Sequence, residues 1–420
     1  MFRSHWTRLA IASLWNFWLL FLLVPSSSAQ PVETDWSTFH HDIYRSGYSS
    51  SAITSSLSLL WTYIVPSLRN RSICSSPAVV DGWVYFTARD RRLYCVNAQT
   101  GALRWRSDPL GDEWDTDYPY GFESDWDSSP AVADGRVFVG ARDGFCYAFD
   151  VQTTAMLWSR QLTDVIVGSP LYADGKLFIS SGGFISRLYW LDPVTGQEVD
   201  HEDPPSSELM VVSPTMMGSQ IIFGHGSKAH KASIDEVQQV LNVQWSSYYE
   251  TDCYLRSSPA VSGTRIYLGD GSAMDPHGIV CLGSTLDQFW GTSGGGYEWT
   301  CGTAALHEDS VFVPGGKDDP DIYCLKDLGS TYELVWATNL DAYQAQGQPV
   351  SPAVADDWLF MAVTRLTGTG MTSVLCCLDP KTGMVRQEFE LGLGRVVSSP
   401  AIWDGKIYIG TRDGRLLCFG

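Results

Sequence analysis

One segment recurs along this chain, and its recurrence restricts the fold more than any other feature. The clearest copies are SSPAVVDGWVYFTARDRRLYCVNAQTGALRW from Ser75 to Trp105, SSPAVADGRVFVGARDGFCYAFDVQTTAMLW from Ser128 to Trp158 and SSPAIWDGKIYIGTRDGRLLCFG from Ser398 to Gly420. Weaker copies begin at Gly168, Val212, Ser257, Gly302 and Val350. The marker proline stands at Pro77, Pro130, Pro170, Pro214, Pro259, Pro352 and Pro400, with Ala304 in its place in the sixth copy. Pro77 and Pro400 are seven intervals apart, about 46 residues each, which is the period of a propeller blade.

Each copy reads as four strands. The proline removes a ladder donor and suits the start of a strand with an unpaired edge. Asp81-Gly82, Asp134-Gly135, Asp174-Gly175 and Asp404-Gly405 predict tight hairpins, because both positions tolerate positive φ. The last copy stops after its third strand, and Leu57 to Ile64 (LSLLWTYI) reads as the fourth. The expectation is an all-β chain: a single eight-bladed β-propeller of four-stranded antiparallel blades, with the ring closed by the N-terminal strand. Closure hides the sheet edges that would otherwise recruit other chains.

Three segments result. Residues 1–29 read as a secretory signal: Arg3 and Arg8 precede an apolar stretch from Leu9 to Val24, and Ser27-Ser28-Ala29 places small residues at a cleavage site. Residues 30–56 form a lead-in, and 57–420 the propeller. The signal carries two of the positive charges, so its removal takes the net charge from −19 to about −21. That balance argues against a nucleic-acid partner, since little here would neutralise phosphates. The processed chain is expected to be secreted or periplasmic, monomeric and without a stable membrane span.

Tryptophans recur at the end of the fourth strand. Trp61, Trp105, Trp158, Trp245, Trp290 and Trp336 are read as structural packing posts, and Asp200 and Gln387 hold the equivalent place in two blades.

The turn Asn97-Ala98-Gln99-Thr100-Gly101 leading to Trp105, repeated at Asp192 to Gly196 and Asp379 to Gly383, resembles the tryptophan-docking motif of pyrroloquinoline-quinone-type propellers. The lead-in Trp36-x-x-Phe39-x-x-Asp42-x-x-Arg45-x-Gly47 is similar to the segment found before such propellers. Two branches share this pattern. One is the quinoprotein alcohol dehydrogenases, in which pyrroloquinoline quinone sits in a central well beside Ca²⁺. The other is a non-catalytic scaffold group, typified by the lipoprotein propeller of bacterial outer-membrane assembly and nearer to this chain in size.

Chemistry-bearing residues are sparse. Cys95, Cys281, Cys324, Cys377 and Cys418 share one repeat position, so they lie a blade apart, too far for the roughly 7 Å reach of a disulfide. They read as small buried thiols. Cys74, Cys146, Cys253, Cys301 and Cys376 are left open to pairing. The resemblance implies that an adjacent cysteine pair forms a ring disulfide by the quinone, but Cys376-Cys377 stands in a regular strand, where neighbouring side chains face opposite sides. His225 and His230 read as a loop pair rather than a zinc helix. No nucleophile elbow or phosphate cradle is found.

The remaining candidates are acidic connections. Residues 111–127 include Asp117, Asp125 and Asp127; Asp270, Asp275 and His277 lie in a second connection, Asp318 and Asp319 in a third. Strand alternation places all three on one face, where function tends to reside on a rigid scaffold. These eight residues are the candidate binding face for a protein, a small molecule or a cation. The resulting expectation is a non-catalytic binding scaffold with no cofactor and no catalytic residues. The alternative is a quinoprotein dehydrogenase using pyrroloquinoline quinone and Ca²⁺.

Overall fold

The computed structural model describes residues 35–67, 70–111, 128–163, 165–182, 186–205, 212–226, 228–244, 257–269, 279–292, 302–315, 322–341, 350–368 and 370–420. Among them every regular element is a β-strand, grouped in eight sheets. No helix in these residues is long and apolar enough to cross a membrane.

Blade 1 comprises Ala78–Val80, Trp83–Ala88, Arg92–Asn97 and Leu103–Arg106, joined in chain order as an antiparallel sheet. Blades 2 to 7 repeat the plan from Ala131, Leu171, Thr215, Ala260, Ala305 and Ala353. Blade 8 has Ala401–Trp403, Lys406–Gly410 and Arg415–Phe419, and its outer strand is Leu59–Ile64, paired antiparallel with Arg415–Phe419. The eight-bladed ring closed by the N-terminal strand is therefore as the repeat predicts. Backbone bonds between Ser58 and Gly420 in both directions extend this closure.

The first strands of neighbouring blades pack against one another around the axis. Exposure rises outward from there. In blade 1 the three inner strands are mostly buried, whereas the outer strand exposes all but Trp105. Continuous apolar runs build the inner strands because both their faces meet other blades. The Asp-Gly hairpins form as expected: Asp81, Asp134, Asp174 and Asp404 have φ of 51°, 48°, 49° and 49°, and each following glycine is also positive.

The tryptophans bind blade to blade. Trp61, Trp105, Trp158 and Trp336 donate their indole N–H to the carbonyls of Ala98, Val151, Pro193 and Pro380, in the strand 3–4 turn of the next blade. Trp290 donates instead to Asp327 Oδ1 at 3.1 Å. Trp245 lies outside the described residues. The two stand-ins keep the connection: Asp200 accepts from Leu241 N at 2.6 Å, and Gln387 accepts from Leu57 N at 3.0 Å.

The hydroxyl before each marker proline forms a second set of ties. Ser76 N donates to Ser129 Oγ, Ser129 N to Ser169 Oγ, Ser169 N to Ser213 Oγ, and Ser213 N to Ser258 Oγ. Thr303 N donates to Ser351 Oγ, Ser351 N to Ser399 Oγ, and Ser399 N back to Ser76 Oγ. Seven hydroxyl–amide bonds thus form a belt about the axis, running from blade 1 to blade 5 and from blade 6 through blades 7 and 8 back to blade 1.

The five-member cysteine series sits as predicted. Cys95, Cys281, Cys324, Cys377 and Cys418 are buried free thiols. Cys95 lies in register between Tyr85 and Trp105, and Cys418 between Tyr408 and Trp61. The small sulfur fits between two large rings.

Candidate functional site

A propeller offers two places for chemistry: the axis and the connections at the ends of its blades. The lead-in occupies the axis. Trp36 exchanges two backbone bonds with Val79 of blade 1 at 2.8 Å. The carbonyls of Ser37, Ile43, Tyr44, Ser46 and Gly47 then accept from Val132, Met216, Val261, Leu306 and Val354. These donors are the middle residues of the first strands of blades 2, 4, 5, 6 and 7. Thr38 Oγ1 donates to Pro170 O of blade 3, and Trp403 Nε1 of blade 8 donates to Asp35 Oδ1 at 2.9 Å. Residues 35–47 therefore touch every blade.

Two side chains of this segment point toward the proline ends of the inner strands. Arg45 is fully buried, and its guanidinium donates to Pro214 O at 3.0 Å and Phe39 O at 2.6 Å, with Ser169 O at 3.4 Å. Burial pulls it down to about 9, against the pull of Asp42. His40 is buried with Nδ1 2.6 Å from Arg45 O and Nε2 2.9 Å from Pro352 O. Burial lowers it to about 4, outweighing those two carbonyls. Asp42 is raised by its own burial, yet bonds from His41 and Ser46 leave it below the usual carboxylate range.

The backbone here is unusual. His40, His41 and Arg45 have φ of 59°, 83° and 54°, and Gly47 follows at 65°. A Cβ at Gly47 would stand 2.5 Å from the His40 ring, so both φ and space demand glycine there.

The acidic candidates Asp117, Asp125, Asp127, Asp270, Asp275, His277, Asp318 and Asp319 all lie outside the described residues. His225 and His230 are not a loop pair. They sit on Gln220–His225 and Lys228–Asp235, adjacent strands of blade 4, with ring centroids 6.0 Å apart. The hairpin between them is short, so both strands extend to its tip. His230 is lowered to about 3 by burial, followed by the charges of His225 and Lys228.

Among the described residues no group of three His, Cys, Asp or Glu comes together as a metal site. Cys376 and Cys377 stand on the regular strand Gly370–Leu378, third from the axis. Cys377 is paired between Phe360 and Gln387, and Cys376 between Met361 and Glu388. Both are buried free thiols. Cys377 is raised to about 12 by burial, and burial likewise pushes Cys376 up. No chemical step is therefore assigned to these residues.

The family described as outer membrane protein assembly factor BamB matches residues 56–114 and 111–281. The chain belongs to this family of pyrroloquinoline-quinone-like propellers. Among curated proteins it is similar to 1-butanol dehydrogenase (cytochrome c) of Thauera butanivorans, with 32% identity over 38% of this chain and 24% of that one. It is also similar to quinohemoprotein alcohol dehydrogenase ADH-IIG of Pseudomonas putida, with 32% identity over 52% of this chain and 30% of that one. The match thus spans less than a third of either relative's length. Among solved structures, a europium-containing methanol dehydrogenase superposes with a TM-score of 0.72 and 13% identity, covering 93% of this chain and 98% of that one.

These relatives overturn the expectation of a non-catalytic scaffold without a cofactor. That expectation rested on the shortness of the chain and on missing motifs. The sequence similarity runs instead to dehydrogenases, one of them named for its quinone.

Proposed function

We propose that this propeller is an oxidoreductase of the quinoprotein alcohol dehydrogenase type, acting outside the cytoplasm. The observation that carries the reading is the 32% identity to the Pseudomonas putida quinohemoprotein alcohol dehydrogenase across 52% of the chain. A bound quinone would supply the electron acceptor for oxidation of an alcohol. The described residues contribute the rigid ring and the segment 35–47 along its axis.

Cation ligands would then come from the connections bearing Asp117, Asp125, Asp127, Asp270, Asp275, His277, Asp318 and Asp319. Carboxylates are the natural ligands for Ca²⁺ or a related hard cation. Each connection joins strand 2 to strand 3 or strand 4 to the next blade. The N-terminal 29 residues, with small residues at the cleavage point, support export.

Titration of the purified protein with pyrroloquinoline quinone, with and without Ca²⁺, tests the reading by absorbance and calorimetry. Saturable, Ca²⁺-dependent binding with dye reduction by a primary alcohol is expected. Absence of both quinone binding and dye reduction overturns it.

A further inference from the structure

Of the chain's five asparagines, Asn70 alone opens an Asn-x-Ser/Thr triplet, Asn70-Arg71-Ser72. That triplet is the acceptor signal for N-linked glycosylation and belongs on the surface of an exported protein. The fold puts it there. Asn70 and Arg71 are exposed, in the connection from the closing strand Leu59–Ile64 to Ala78–Val80, the first strand of blade 1. Asn70 has φ 52°, a left-handed backbone that asparagine adopts more readily than most side chains.

The third residue of the triplet is tied to the far end of the chain. Ser72 Oγ donates to Arg412 O at 2.6 Å, across 340 positions. Ser72 O accepts from Arg89 N at 2.9 Å, and Ile73 N donates to Thr411 O at 3.0 Å. Thr411 and Arg412 lead into Arg415–Phe419, the strand on which the ring closes. A Cβ at Gly414 in that turn would stand 2.5 Å from Arg71 Cγ, so the triplet lies directly against it. The Ser72 hydroxyl thus gains its acceptor only when the last blade is made.

We propose that Asn70 is an N-glycan acceptor, open to modification only before the ring closes. In the transfer, the sugar C1–O bond to a lipid-linked diphosphate breaks and a C1–N bond to Asn70 Nδ2 forms. The amide gives up one proton, and the lipid diphosphate leaves. The transferase reads the hydroxyl two residues beyond the asparagine, on a loose and extended acceptor. Ser72 offers it until Arg412 is synthesised, an interval of tens of seconds at roughly 5–20 residues per second. Once Arg412 and Arg89 hold Ser72, its hydroxyl and backbone are withdrawn. The proposal rests on the export part of the reading above and not on the quinone.

Mass spectrometry of the full-length chain secreted from cultured insect cells, before and after peptide N-glycosidase, tests the site. One glycan is expected, with aspartate left at position 70 on its release. Asn70→Gln should abolish it, and Ser72→Thr should keep it. Unglycosylated protein from a bacterial cytoplasm, offered to detergent-solubilised oligosaccharyltransferase and its lipid-linked donor, tests the timing. The native ring should stay unmodified, and the same protein freshly diluted from urea should accept the glycan. A secreted chain without a glycan, a glycan that survives Asn70→Gln, or equal modification of native and urea-diluted protein overturns the proposal. A second form, with a known secretory leader in place of residues 1–29, separates the two readings. If only that form leaves the cell, and carries the glycan, the site stands and the chain's own export signal is at fault.

Discussion

Trp158 of blade 2 lies over Gly196 of blade 3 while donating its indole N–H to the carbonyl of Pro193. Gly196 has φ 69°, and a Cβ there would fall inside the indole ring's contact distance. The same pairing recurs between Trp61 and Gly101 and between Trp336 and Gly383. The glycine is thus demanded twice, by backbone and by the neighbour's ring.

Gly196→Ala should therefore destabilise more than an ordinary turn substitution. The left-handed backbone costs roughly 1 kcal/mol and the forced ring about 1–3 kcal/mol more. Gly135→Ala isolates the first contribution, because Gly135 has φ 72° with nothing within 4 Å of its would-be Cβ. Chemical denaturation of the two variants should show Gly196→Ala the weaker by at least 1 kcal/mol, in line with that overpacking cost. Equal losses would deny the ring contact its role.

Acid should weaken the ring in a defined window. His40 and His230 are held to about 4 and about 3 in the fold, below their ordinary value of 6.5. Unfolded, both bind a proton near 6.5; folded, neither does until well below. Their contribution is complete above 6.5 and is lost progressively as the pH falls, down to about 4 for His40 and about 3 for His230. Denaturation midpoints should drop across that window, and His40→Asn should flatten the slope by about one proton. Asp42 and Asp327 are held below the ordinary carboxylate value, so they add their losses only under more acidic conditions.

The five serial thiols should be silent in the native protein. Burial raises Cys95, Cys281 and Cys418 to about 12 and Cys324 to about 11, leaving almost no thiolate to react. Iodoacetamide should label none of the five natively and all five after denaturation without reductant. A disulfide between any two of them in the mass spectrum would refute the repeat register.

The hydroxyl belt makes a graded prediction. Ser169→Ala removes the acceptor for Ser129 N, which lies 3.0 Å away and is buried. An orphaned buried amide costs about 1–3 kcal/mol. Ser169→Thr keeps the hydroxyl and should recover most of the loss in thermal unfolding. If alanine and threonine behave alike, the belt contributes packing rather than hydrogen bonding.

What could be read from the sequence was what repeats in side chains. Prolines at one period place the blades, and the bulky Trp158 and Trp336 mark the docks. Asp200 and Gln387 were legible as stand-ins by position, although their hydrogen bonds to Leu241 and Leu57 were not. The lead-in motif from Trp36 to Gly47 was legible but its place on the axis was not, because Ser37, Ile43, Tyr44 and Ser46 bind the blades through carbonyls, which any residue carries. Nor do His40, His41 and Arg45 announce the left-handed backbone they adopt. The acidic connections stand apart from the repeat, so periodicity carried no information about them.

The closing strand sets a clock on biosynthesis. Ser58 meets Gly420 across 362 positions of chain, so Leu59–Ile64 emerges early and waits for its partner to be made. At roughly 5–20 residues per second that wait is on the order of 20–70 s. During it, Leu59, Leu60 and Ile64, which stay exposed even in the finished ring, present an apolar strand without a sheet. Contacts this distant form slowly, and every earlier blade must be in place before they can. A nascent chain halted short of residue 415 therefore cannot complete its ring, so closure waits on synthesis of the strand Arg415–Phe419.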